Sequence, residues 1–440
     1  MKRYLFMKKN LFFLLFCAQC LFLTAQTQPI SLPEAIDLGW KNRLELQEQA
    51  LEIDIARRAD TKVKAQWLPQ VDVNADFRYN ILLQQSVIPI GEFGIPGIPS
   101  DEIQTVAFGV PFQNQIGVDV KQKLFDANKS VDRKINATQT AIQETRLETE
   151  QLNIQIAVTE AYYTCLFQQE KIRIAEHNLA LFQANLSNGQ VKFDNGALLK
   201  NDLNRLQLDV SNANLTLTKA RKDYDLAQEQ LRFSMNAPEG SRWVPSENLV
   251  DLLARVPANL PSVEINRPEL REQQLNSELN NLQADKQSAR LKPSVSARGN
   301  LSALALNTDL TAFSFVGIQA AIPIYDGKLA RLDAQDYQIR SQKNRIEGQR
   351  LEYTYSYEAS SARMRFEKAR LDMELSTENI ALARDIYATD QGRYQLGAMS
   401  DTDLKSSQYA LQAAENNYLN TVYELLVSGL QYQKAVGRTE

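Results

Sequence analysis

Apolar and polar positions alternate from Val71 to Leu83: Val71, Val73, Ala75, Phe77, Tyr79, Ile81 and Leu83 take the odd places, and Asp72, Asn74, Asp76, Arg78 and Asn80 take even ones. A period of two sorts residues onto opposite faces of a β-strand, so this segment predicts a strand with one apolar and one charged face. A return strand follows, with Ile116, Val118 and Val120 on one side and Gln115, Asp119 and Lys121 on the other. The pair comes back more weakly later in the chain. There Val295, Ala297, Leu301 and Ala303 oppose Ser296, Arg298, Asn300 and Ser302, the turn falls near Asn307-Thr308-Asp309, and the return runs from Phe313 to Ile322. The Pro/Gly-rich stretch from Pro89 to Pro99 is incompatible with a helix or a central strand, and predicts a long loop in the first hairpin.

The remaining pattern has helical period. Leu199, Leu203, Leu206, Val210, Ala213, Leu217, Ala220, Tyr224, Ala227 and Leu231 follow spacings of four and three, a sustained heptad seam. Ile172, Ala175, Leu179, Phe182, Leu186, Gly189 and Phe193 form the preceding one. Between Asp126 and Phe193 nothing breaks the pattern, which predicts a helix of roughly 100 Å at the usual rise per residue. The Asp194-Asn195-Gly196 turn and, later, Gly397 reverse the chain into the next helix, and Ser400 and Asp403 have capping-box spacing. Near the end of the chain a more polar seam runs through Leu404, Ser407, Leu411, Ala414, Tyr418, Thr421, Leu425 and Ser428.

These elements occur twice because the chain is an internal duplication. Residues 42–49 read NRLELQEQ and residues 266–273 read NRPELREQ. The same offset brings Trp67-Leu68-Pro69 onto Leu291-Lys292-Pro293. Beyond the long loop the offset shortens, bringing Leu124-Phe125-Asp126 onto Ile324-Tyr325-Asp326 and Phe193-Asp194-Asn195-Gly196 onto Tyr394-Gln395-Leu396-Gly397. The units far exceed solenoid repeats, so a folded half has been doubled. The expected organisation is a first repeat over 26–237, with a β-hairpin at 71–123 and a long helical hairpin at 126–233. A connector at 238–261 leads to a second repeat over 262–440, with a β-hairpin at 295–324 and a helical hairpin at 326–436. A shorter helix opens each repeat, near 33–66 and 262–290.

The N-terminus adds a destination. Lys2, Arg3, Lys8 and Lys9 precede an apolar run from Leu11 to Leu23 and then Thr24-Ala25-Gln26, the layout of a secretory signal peptide over 1–25. Cys17 and Cys20 lie within it, neither preceded by the small residue of a lipoprotein signal, so the exported chain keeps Cys165 alone and no intrachain disulfide. Beyond residue 25 no apolar run reaches 18 residues, which disfavours membrane-spanning helices but leaves membrane strands open. A formal charge of −4 gives no nucleic-acid footprint. His177, the single histidine, has no cysteine or carboxylate at ligand spacing and reads as a surface residue, and Cys165 reads as a buried small apolar group. No phosphate loop, nucleophile elbow or metal motif is found, so no cofactor and no enzymatic activity are expected.

Four strands with an apolar outer face cannot sit in lipid alone, because both edges would leave backbone groups unsatisfied, and a closed barrel needs about eight or more. Several copies must contribute strands to one barrel.

A tall helical hairpin repeated twice under a shared membrane barrel resembles the outer-membrane efflux protein family, the TolC-like channels. The residues carrying the resemblance are Leu68-Pro69 and Lys292-Pro293 at the start of each hairpin, Ile322-Pro323-Ile324-Tyr325-Asp326-Gly327 after the fourth strand, and Arg393-Tyr394-x-x-Gly397 followed by Asp403-Leu404 at the second helical turn. The resemblance implies a mainly α fold with a transmembrane β part: long antiparallel coiled-coil helices forming an α-barrel, and four strands per chain in a shared 12-stranded outer-membrane β-barrel of a homotrimer. It implies a passive exit duct of a tripartite efflux or type I secretion system, in the outer membrane of a Gram-negative cell with a periplasmic tunnel. Its partners would be a periplasmic membrane-fusion adaptor, an inner-membrane pump of RND or ABC type and outer-membrane lipid. The competing reading is a secreted periplasmic coiled-coil scaffold or adaptor without a pore.

In such channels the inner end narrows at the helical turns. Asp202 and Asp403 occupy the positions of its acidic rings, Asn201 is placed to donate to Asp202, and Tyr394 falls where relatives hold a tyrosine that keeps the mouth closed. Met399 and Ser406 replace the arginine and second aspartate of other members, so that ionic latch does not carry over whole. An acidic residue in a first helical turn also favours the helix dipole with no gating role. Asp72, Asp76, Arg78 and Arg298 would line the barrel lumen if the apolar face meets lipid; otherwise they are the wet face of a soluble sheet. Trp67 and Tyr79 suit opposite interfacial belts or ordinary packing.

Overall fold

The computed structural model describes residues 27–93, 96, 97, 99, 101, 103–257, 260, 264–307, 309–396 and 398–438. The signal peptide expected over 1–25, Gly397 and Thr308 lie outside the described residues. Contacts divide the chain into two units that each draw on both repeats: one holds residues up to 51, 144–272 and 347–440, the other 52–143 and 273–346.

The second of these contains the sheet. Its strands are β2 (Gln70–Tyr79), β5 (Phe112–Asp126), β7 (Ser294–Leu306) and β8 (Asp309–Ala321), in spatial order β2-β5-β7-β8 and all antiparallel. The two hairpins therefore pair through β5 and β7, leaving β2 and β8 as edges. Directly opposed residues share a face, so the register sorts the sheet: Val73↔Val118↔Leu301↔Ser314 and Val71↔Val120↔Gly299↔Val316 lie on one side. That apolar face is uncovered within the chain, with Phe77 at 78%, Leu301 at 61% and Val316 at 92% exposure. The first loop contains structure of its own. A second hairpin, β3 (Gln84–Ile88) with β4 (Gln104–Phe108), brackets the proline-rich stretch, and a 3₁₀ turn at Ile90–Phe93 corrects the expectation that no helical geometry occurs there.

Two helices of this unit approach closely because their facing residues are small. In α6 (Pro268–Ala289) Ser277 Oγ lies 2.8 Å from Ser341 Oγ of α7 (Leu329–Gln395), both buried, and Ala284, Ala330 and Ala334 are buried farther along the same two helices. Lys286 pairs with Asp132 of α3 (Lys129–Asp194) at 2.7 Å. The strand exits are built alike in both repeats. Asp126 accepts from the Asn128 N–H at 2.9 Å just before α3, and Asp326 from the Lys328 N–H at 3.0 Å just before α7; Asp326 also caps α7 by accepting from the Ala330 N–H at 2.8 Å.

The other unit holds the helical hairpins and the main apolar cluster. The seam of α4 (Lys200–Ser234) buries Leu203, Leu206, Ala213, Leu217, Ala220, Ala227 and Leu231, while Leu199, at its N-cap, is exposed. In α8 (Asp401–Val436) Leu404, Ser407, Thr421, Leu425 and Ser428 are buried, and Thr421 Oγ1 meets Ser376 Oγ of α7 at 2.7 Å. Tyr162, Cys165, Leu231 and Met235 centre the main cluster, and the Tyr162 hydroxyl donates to the Ile30 carbonyl at 3.1 Å. Ile30 ends β1 (Thr27–Ile30), which pairs in parallel with β6 (Arg242–Pro245) of the connector; a short helix, α5 (Leu249–Leu253), follows.

The matched words have a shared role. The helix expected over 33–66 is two, α1 (Leu32–Asn42) and α2 (Leu44–Ala65), broken at Arg43 in extended backbone, and the helix expected over 262–290 begins at Pro268. In the second repeat Gly437, at φ +75°, ends α8 against Asn266, whose N–H donates to the Val436 carbonyl at 2.9 Å. Arg267 caps the same end, donating to the Lys434 carbonyl at 2.5 Å, pairing with Glu269 at 2.7 Å and lying over the Tyr355 ring. In the first repeat Asn236, at φ +48°, ends the hairpin and its amide donates to the Asn42 carbonyl at 2.9 Å, while Arg43 meets Glu45 at 3.4 Å. Each Asn-Arg-x-Glu-Leu segment thus docks on the last helix of its own repeat.

Candidate functional site

Four of the residues singled out in the sequence, Asn201, Asp202, Tyr394 and Asp403, lie at the helical turns. α3 ends with the Ala197 N–H donating to the Lys192 carbonyl at 2.8 Å, and α7 ends with the Ala398 N–H donating to the Arg393 carbonyl at 2.9 Å, the same closing bond at equivalent repeat positions. Gly196 supplies the left-handed residue of the first turn, at φ +73°. The two turns are tied to each other: Lys192 Nζ donates to Tyr394 Oη at 2.5 Å and lies 4.6 Å from its ring centroid.

Asp403 opens α8, where its N–H donates to Ser400 Oγ at 3.2 Å and its carboxylate accepts from the Ser400 hydroxyl at 2.7 Å. The spacing is that of a capping box, but the aspartate side chain, one methylene shorter than glutamate, meets the hydroxyl and not the backbone N–H. Asp202 opens α4 half-exposed, and its ion-pair partner is Arg205 at 3.9 Å. Among the described residues no hydrogen bond joins Asn201 to Asp202, so the expected donation is absent: Asn201 is exposed and its amide has water to bond. Met399 is half-buried and Ser406 exposed.

Beyond these lies a polar layer that sequence reasoning missed. Asp209 of α4 pairs with Lys405 of α8 at 3.1 Å, with side-chain exposures of 16% and 19%, and accepts from Tyr409 Oη at 3.1 Å. Burial, and then the Asp209 charge, raise the Tyr409 phenol above its ordinary pKa. Asn185 of α3 donates to Gln408 Oε1 at 3.3 Å, and Gln408 is fully buried. The signal was available, since Asp209, Lys405 and Gln408 follow the seams closely, but residues beside a seam ordinarily face solvent.

The polar face of the sheet carries the other candidates. Asp72 opposes Asp119, which opposes Asn300; Asp76 opposes Gln115, Arg78 opposes Gln113, and Arg298 opposes Lys121. All four candidates, Asp72, Asp76, Arg78 and Arg298, therefore share the face opposite Val73 and Leu301. Asp119 is held by Asn74 Nδ2 at 2.8 Å and Asn300 Nδ2 at 2.7 Å, and Arg78 pairs with Asp76 at 3.2 Å. Trp67 lies beneath Lys129, 3.9 Å from ring centroid to Nζ, and Tyr79 packs on Phe112 with ring centroids 4.9 Å apart. His177 is exposed and Cys165 fully buried; among the described residues no cluster of three His, Cys, Asp or Glu could hold a metal, and no helix is long and apolar enough to cross a membrane.

The fold is that of known outer-membrane channels. The chain is similar to CusC, solved in a study of its folding and transmembrane channel formation, at 15% identity over 95% of this chain and 96% of that one, with a TM-score of 0.74. It is similar to the Campylobacter jejuni CmeC outer membrane channel at 16% identity, covering 92% of this chain and 85% of that one with a TM-score of 0.67. The open state of the Neisseria gonorrhoeae MtrE outer membrane channel matches at 13% identity over 92% and 89%, also with a TM-score of 0.67. No curated protein sequence matches the chain. The family model for outer membrane efflux protein matches residues 36–237 and 259–438, nearly the whole of both repeats, and the chain therefore belongs to the outer membrane efflux protein family.

Proposed function

We propose that three copies of this outer-membrane protein form the passive exit duct of a tripartite efflux or type I secretion system in a Gram-negative cell. Each repeat supplies one β-hairpin and one helical hairpin, so a trimer closes 12 strands around the pore and continues it as a periplasmic tunnel of helices. The observation that carries this reading is the four-stranded sheet with two open edges and an uncovered apolar face. In hydrocarbon the edge N–H and C=O groups of β2 and β8 need strand partners, and other copies of the sheet provide them with the apolar face toward lipid. The opposite face, with Asp72, Asp76, Arg78 and Arg298, then lines the lumen. Asp202 and Asp403 ring the inner mouth and favour cations there, with Asn201 beside them and Tyr394 holding the mouth closed through Lys192. A periplasmic adaptor and an inner-membrane pump dock at the helical turns and supply the energy; this chain performs no chemistry. Reconstitution in planar bilayers tests the reading: discrete single-channel openings support it, and protein that inserts without conductance, or that stays in the soluble periplasm, refutes it.

A further inference from the structure

The register of β8 places two aromatic side chains on the wrong face for lipid. Phe315 opposes Asn300 and Phe313 opposes Ser302, so both phenyl rings stand on the polar face, beside Asp119 and Asn74 and not beside Val118 and Leu301. Their exposures are 53% and 45%, with no covering element among the described residues. In a strand bound for a membrane the economical position for phenylalanine is the lipid face, yet here the adjacent lipid-face position, between the two rings, is Ser314.

The two rows that hold these rings carry charge of one sign. Across the four strands the row of Phe315 contains Asp72, Asp119 and Asn300, and the row of Phe313 contains Asn74, Gly117 and Ser302. Those two rows therefore hold two carboxylates and no cation, while Lys121 and Arg298 lie one row farther on, in the direction of Gln70. The Asp119 carboxylate is fixed by the Asn74 and Asn300 amides, so it faces the lumen in a set position. Gly117 leaves room for the Ser302 side chain in the row beside it: a Cβ there would meet Ser302 Oγ at 2.2 Å. β8 is an edge, so in a closed barrel each phenyl pair also lies beside β2 of the next copy, whose polar face carries Asp72 and the Asp76–Arg78 pair.

We infer that Phe313 and Phe315 form an aromatic belt in the barrel lumen that, with Asp72 and Asp119, selects cargo: organic cations bearing aromatic surface are held there during passage. A phenyl face and a carboxylate at one level offer such a cation both a π-face and a counter-charge; a hydrated inorganic cation gains only the second, and an aromatic anion is repelled by it. The inference rests on the exit-duct reading, because the lumen exists only in the assembled barrel.

Blockade of single channels in planar bilayers is the test, with three probes: tetraphenylphosphonium, tetraethylammonium and tetraphenylborate. Wild-type channels should be blocked most strongly by tetraphenylphosphonium. The Phe313→Ser/Phe315→Ser variant should weaken that block about fivefold, the scale of one cation–π contact of roughly 1 kcal/mol, and leave tetraethylammonium unchanged. If serine prevents assembly, Phe313→Leu/Phe315→Leu retains apolar bulk and should lose the same preference. Equal block of wild type and variant by tetraphenylphosphonium, or wild-type block by tetraphenylborate of equal strength, overturns the inference. Wild-type protein that opens no channels defeats the exit-duct reading itself, a result distinct from either.

Discussion

Lys192 Nζ donates to Tyr394 Oη at 2.5 Å across 202 residues of sequence, joining the last turn of the first long helix to the last turn of the second. In repeat coordinates Lys192 matches Arg393 and Phe193 matches Tyr394, so the bond joins positions the duplication left unequal. Tyr394→Phe removes the acceptor oxygen but keeps the ring under the ammonium. Combined with Asp403→Ala, which also removes the carboxylate that Ser400 holds, it should loosen the inner mouth and raise single-channel conductance or antibiotic leak. Conductance equal to that of the wild type would remove Tyr394 and Asp403 from the gate.

Asp209 and Lys405 join the second helices of the two hairpins, and both are more than four-fifths buried. Among the described residues, Lys405→Met leaves Asp209 the Tyr409 hydroxyl as its partner across the helices. The expected loss of stability is about 2 kcal/mol, because a largely buried carboxylate loses its counter-charge. Lys405→Met/Asp209→Leu, which removes both charges, should recover most of it. A single variant as stable as wild type in thermal unfolding contradicts this role.

Arg267 and Arg43 stand at matching positions of the two repeats but in unequal settings. Arg267 is 8% exposed at its side chain and pairs with Glu269 at 2.7 Å, while Arg43 meets a half-exposed Glu45 at 3.4 Å. Arg267→Ala should cost about 3 kcal/mol; breaking the Arg43–Glu45 pair by Glu45→Ala should cost under about 1 kcal/mol. Gly437→Ala adds a third comparison, since its Cβ would meet the Asn266 carbonyl oxygen at 2.5 Å in a left-handed residue, a loss of more than about 1 kcal/mol. Denaturant midpoints of the three variants give the order directly.

Burial pushes the Cys165 thiol up to about 12 from an ordinary 9.0. The folded chain holds this proton more tightly than the unfolded chain, so its contribution to stability is complete below about pH 9 and is lost as pH rises from there toward 12. Cys165→Ala should flatten part of that alkaline decline. In native protein at pH 8 the thiol should resist maleimide, and it should react once the chain is denatured. Rapid labelling of the native protein would show the thiol to be accessible.

What could be read in the sequence follows from the range of the interactions concerned. The α4 seam was legible because Leu203, Leu206, Ala213, Leu217 and Leu231 recur at helical period and are buried where that period puts them. The break at Arg43 was hidden in its own repeat, where neither flanking residue, Asn42 or Leu44, is glycine or proline. Its counterpart shows it: Pro268 follows Arg267, a residue before proline avoids helical backbone, and both following helices restart at this position. The faces of β8 were not legible, because Ser314 interrupts the apolar set and Phe313 and Phe315 supply a false one. The Lys192–Tyr394 and Asp209–Lys405 bonds depend on how the two hairpins pack, which no local pattern encodes.

The most direct test of the shared barrel is the mass of the assembly extracted in detergent from outer membranes, measured by native mass spectrometry. Three chains per particle is the expected result, because three sheets of four strands close the edges of β2 and β8 on one another. A single chain in the particle would leave those edges open in lipid and contradict the shared barrel, and two or four chains would contradict its 12 strands.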